Sequence, residues 1–143
     1  GGRGNTRFKT STNQAPRYAQ PGGNLDRERL ESEILIPISR NKAAVYRPFN
    51  CRTLSLREPV TVLPGRLNIV EGSYSFHPEL ARYYDLSVFL DISPETQRSR
   101  ILKRNGPEWG QQFFDRWIPL EQTYFHETDT QGRCTLALKE ETR

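Results

Sequence analysis

The sequence predicts an α/β fold, a mainly parallel sheet with flanking helices and a small antiparallel flap. Three observations carry that expectation. Leu67, Ile69 and Val70 form a short apolar run. Leu86 to Ile92 form a second, β-branched and aromatic, after a compact helical link. Two such strands joined through a helix make a parallel pair buried on both faces. Two Pro-containing extended runs, Ala44 to Phe49 and Arg57 to Leu63, suit a flap over 43 to 63 better than central strands. Apolar residues recur at helical spacing before, between and after these runs.

The 143 residues are the size of one ordinary domain. A hydrophobic fraction of 34% is low, which places part of the chain outside the core. The net charge is +4 and its excess is uneven. Residues 1 to 20 hold Arg3, Arg7, Lys9 and Arg17 and no acid, together with Gly, Thr, Asn and Gln. They are expected to form a flexible basic arm, which favours phosphate-bearing partners or is simply a solvated tail. Cys51 and Cys134 follow no metal or redox spacing and read as reduced thiols of a cytoplasmic protein. No apolar run reaches membrane length. There is no methionine, so the sequence is expected to be a processed, truncated or partly recorded chain.

The folded part is expected over 21 to 138. Pro21-Gly22-Gly23 is a turn, and Asn24 is placed to cap a helix carrying Leu25, Leu30, Ile34 and Leu35, with Asp26, Glu28 and Glu31 near its positive end. Pro37 ends or bends this helix, and Arg40-Asn41-Lys42 leads out of it. In the flap, Arg47 and Arg52 beside Tyr46 and Phe49 have the chemistry to clamp and stack a planar polar ligand, or they are ordinary surface arginines. Glu71 closes the first central run. An acid at the carboxyl end of a parallel strand is a candidate ligand for a metal or polar substrate, and a loop-tethering Glu satisfies the same position.

Ser93-Pro94 opens a helix with Ile101 and Leu102 on its buried side. Arg98, Arg100, Lys103 and Arg104 make it densely cationic. Arg100 and Arg104, four apart, share one side, suited to phosphate or to solvent. A helical lid is expected around 95 to 112, interrupted at Asn105-Gly106-Pro107. Trp109 to Phe125 is an amphipathic core-packing pattern that Pro119 should bend or interrupt. His77 and His126 are isolated and read as surface residues. Cys134 to Leu138 reads as a last strand, and 139 to 143 as a charged tail.

Leu67 to Tyr74, Tyr83-Tyr84-Asp85-Leu86, Val88 to Asp91 and Arg98 to Arg104 form an ordered series that resembles the second half of the uridine kinase-like nucleoside kinases, within the P-loop NTPase fold. Pro21 to Asn24 and Tyr46 to Thr53 also resemble that group. The resemblance implies transfer of the ATP γ-phosphoryl group, with Mg2+, to a nucleoside or similar small alcohol. It implies Glu71 near the metal and phosphates as a catalytic and metal-binding acid. It also implies Arg100 and Arg104 as catalytic lid cations, with Arg98 and Arg104 on the nucleotide, and Tyr46, Asn50 and Arg52 over the acceptor.

The sequence departs from the family by lacking Gly-x-x-x-x-Gly-Lys-Ser/Thr and the strand before it, as well as the acid after the second strand. It is therefore expected to be the C-terminal part of a larger enzyme, its sheet completed by an upstream segment. A non-catalytic nucleotide-binding or interaction module on the same scaffold is the alternative. Nucleic acid is the weaker partner class, because the basic arm has few aromatics among its charges.

Overall fold

The structure, a computed structural model, describes residues 21–23, 25–50 and 53–140. The expected basic arm, the Asn24 cap, Cys51, Arg52 and the last residues of the charged tail lie outside the described residues. The chain divides into two compact units, Gly1–Tyr84 and Asp85–Arg143.

In the first unit, Asp26 rather than a residue before it caps the opening helix, its carboxylate accepting from the Arg29 N–H at 3.1 Å. The helix, α1, runs continuously through Arg27–Arg29, Leu30–Leu35 and Ile36–Ser39, and its middle section is wound one residue wider, with i→i−5 hydrogen bonds. Arg40, Asn41 and Lys42 leave it exposed, Asn41 at a positive φ of 56°. Leu35, Ala44 and Leu80 are the buried hydrophobic residues described in this unit.

The antiparallel flap is present. β1 (Ala44–Tyr46) pairs with β4 (Val60–Val62), and inside that pair β2 (Phe49–Asn50) meets β3 (Ser55–Leu56). Pro48 and Pro59 lie in the gap between the two ladders, as residues that cannot donate must. The gap is bridged by the Arg57 N–H donating to the Pro48 carbonyl at 2.7 Å.

The first central run does not form a strand. Leu67 and Ile69 are 77% and 79% exposed in a coil, and the Asn68 side chain pins that coil by donating to the Gly65 carbonyl and accepting from its N–H. A strand persists only where a neighbour meets its N–H and C=O groups, and among the described residues nothing pairs with this segment. The helical link beyond it is reduced to turns and one 3₁₀ turn, Ala81–Tyr83.

The second unit holds the parallel pair, β5 (Val88–Asp91) with β6 (Leu136–Lys139). A mainly parallel sheet is therefore not what forms: among the described residues two pairs are antiparallel and one is parallel. The α/β class holds. Its helix α2 (Pro94–Gln112) starts where Ser93-Pro94 predicts, with Ser93 Oγ accepting from the Thr96 N–H at 3.1 Å. It breaks at Gly106, φ 78°, and folds back so that the Gly110 backbone touches the Leu102 side chain.

Beyond α2, the wider-wound segment Phe113–Trp117 leads without a break into α3 (Ile118–Glu127), so Pro119 neither ends nor interrupts the helix. The short helix α4 (Thr130–Arg133) then delivers the chain to β6. Lys139, expected in the tail, is the last residue of β6. Phe89 packs edge-on to Phe125, ring centroids 5.2 Å apart, tying one face of the parallel pair to α3. Tyr124 is buried, in keeping with a core-packing helix, whereas Trp109 is exposed. No helix among the described residues is long and apolar enough to cross a membrane.

Candidate functional site

In the first unit, α1 and the flap enclose an open cleft of about 460 Å3 lined by Arg29, Glu33, Val45, Tyr46, Arg47, Leu56 and Pro59. The one-turn spacing of Arg29 and Glu33 brings both to the same helix face, where the guanidinium grips the carboxylate with two hydrogen bonds. The same guanidinium donates to the Arg47 carbonyl at 3.2 Å, fastening the helix to the end of β1. Arg47 in turn donates from Nε to the Arg57 carbonyl at 2.9 Å, so its stem is held against the flap. Among the residues expected to meet a ligand, Tyr46 and Arg47 line this cleft. Asn50 sits in β2 and accepts from the Thr53 N–H across the tip of the hairpin. The i, i+4 spacing of Arg29 and Glu33 was the signal in the sequence for the helix wall, but only the tertiary structure places that wall beside Tyr46.

Glu71 lies in exposed coil. Among the described residues no group of three or more His, Cys, Asp or Glu could hold a metal ion. His77 is not a simple surface residue: its Nε2 lies 2.7 Å from Arg27 Nη1, and its side chain is 15% exposed. Glu31 receives both the Tyr83 hydroxyl, at 2.7 Å, and the Arg82 guanidinium. Arg82 is held above its ordinary pKa by its hydrogen bond to Tyr83, helped by the charges of Glu31 and Glu79.

In the second unit the cations of α2 part company. Arg98 lies 4.1 Å from the centroid of the Phe114 ring, and Arg104 lies 6.0 Å from that of Phe113. Arg100 turns to the chain beyond β6 and donates to Glu140 at 2.5 Å, a hydrogen bond that raises its pKa. Arg100 and Arg104 therefore share a helix side but not a partner. The rings that receive Arg98 and Arg104 are available because the Gly106 break folds the later part of the helix back. Chemically, this is an exposed set of guanidiniums held by weak, replaceable contacts. Cys134 is a half-buried free thiol.

No protein-family model matches the chain. Among curated proteins it is similar to GTPase Obg of Fervidobacterium nodosum, 32% identical over 79 residues covering 49% of this chain and 18% of that protein. It is similar to GTPase Obg of Syntrophus aciditrophicus, 58% identical over 79 residues covering 49% of this chain and 23% of that one. A stretch of 22 residues, 15% of this chain, is 86% identical to GTPase Obg of Porphyromonas gingivalis and covers 6% of it. The chain thus spans less than a quarter of the length of these relatives. They overturn the resemblance to uridine kinase-like nucleoside kinases and the phosphoryl transfer inferred from it, because the proteins it matches are named GTPases. The alcohol acceptor falls with that reaction.

Proposed function

We propose that the chain is part of a guanine-nucleotide-binding protein of the P-loop NTPase kind. In this reading it supplies side chains around the nucleotide, and the phosphate-gripping loop, absent from the 143 residues, is supplied by the rest of the protein. The identity with GTPase Obg is the observation that carries it. The nucleotide is then GTP rather than ATP.

The exposed guanidiniums suit that role. A cation over an aromatic ring at an exposed site is worth about 0.5–1 kcal/mol. A hydrogen bond to a charged group is worth about 1.5–3 kcal/mol. A phosphate therefore draws Arg98 and Arg104 off their rings at a net gain. Arg100 has only a solvent-screened surface ion pair to Glu140 to break.

Magnesium fits this arrangement because it is commonly held by one or two carboxylates with the nucleotide phosphates supplying other oxygens. When bound, the ion would neutralise phosphate charge.

The test is titration of the whole protein, expressed from its native gene, with fluorescent GTP and ATP analogues, with and without Mg2+. Tighter binding of GTP than of ATP, weakened by roughly tenfold in the Arg98→Ala/Arg104→Ala double variant (about 1.4 kcal/mol), is the expected result. Absence of nucleotide binding, or a preference for ATP, overturns the reading.

A further inference from the structure

We draw no further inference here: the strongest candidate, the bare apolar face of the β5–β6 pair formed by Val88, Leu90, Leu136 and Leu138, carries nothing because nothing in the structure shows what covers it.

Discussion

Ile36 donates its backbone N–H to the carbonyl of Glu31, five residues back, immediately before Pro37. Ile118 does the same to Phe113, immediately before Pro119. In a regular helix the proline ring would collide with the carbonyl four residues earlier, that of Glu33 or Asp115. Widening the preceding turn by one residue moves that carbonyl aside and lets each helix continue through the proline. The Ile-Pro pairs at 36 and 118 are thus the local cause of both wide turns.

Replacing Pro119 by Ala should remove the need for the wide turn and restore a backbone donor. We expect Pro119→Ala to stabilise the chain by roughly 1 kcal/mol, less than the ~3 kcal/mol proline penalty of an undistorted helix because the turn already relieves most of it. Urea unfolding followed by circular dichroism reads the change, and a stability unaltered or lowered would argue against this origin of the turn.

The Ser93 cap carries the start of α2. Ser93→Ala leaves the Thr96 N–H without its acceptor and should cost about 1 kcal/mol. Ser93→Asp, which keeps an oxygen acceptor, should lose only a small part of that. The pair of midpoints in one denaturant series distinguishes a lost cap from a general effect of substitution.

The fold-back of α2 depends on two glycines for different reasons. A Cβ at Gly110 would lie 2.9 Å from Leu102 Cδ2, so Gly110→Ala should cost about 1 kcal/mol, crowding of roughly 1–3 kcal/mol against the ~1 kcal/mol that alanine returns in a helix. Trimming Leu102 to Ala in the same chain should make the Gly110→Ala step neutral or favourable, by removing the crowded methyl groups.

Gly106 has open space around it, but its φ of 78° is a conformation that other L-residues resist. Gly106→Ala should therefore cost about 1–2 kcal/mol regardless of what is done at Leu102. Additivity of the Gly106→Ala and Leu102→Ala effects in thermal melts checks that independence.

On one side of the parallel pair Phe89 packs against Phe125, and the opposite side is bare. Register places Val88 beside Leu136 and Leu90 beside Leu138, all four exposed, Leu90 by 71%. Leu90→Lys with Leu138→Glu should lower binding of a hydrophobic dye and reduce concentration-dependent association in sedimentation, without lowering the unfolding free energy by more than about 0.5 kcal/mol. Dye binding that persists unchanged would place the sticky surface elsewhere.

What the residues alone decided is local. Pro48 and Pro59 cannot donate to a ladder, so they fall between the paired segments of the flap, which appears where the alternating runs predict. Ser93 and Pro94 suit a helix start through one acceptor oxygen and one preset φ, and α2 begins there. Gly106 breaks that helix because its own backbone permits the turn. These outcomes depend on hydrogen bonds and dihedrals within a few residues.

What only the tertiary structure decided depends on partners distant in sequence. Leu67 to Val70 has the apolar character of a buried strand, yet it is coil, because apolar character cannot provide the neighbouring chain that a strand's N–H and C=O groups require. Arg100 and Arg104 read as one cationic side, yet Arg100 pairs with Glu140 while Arg104 lies near a phenylalanine ring brought up by the fold-back. Tyr46 joins the Arg29–Glu33 wall only because α1 and the flap pack together. A side chain's type is written in the sequence, but what it faces is set by how distant segments pack, and the candidate site was correspondingly less legible than the elements that build it.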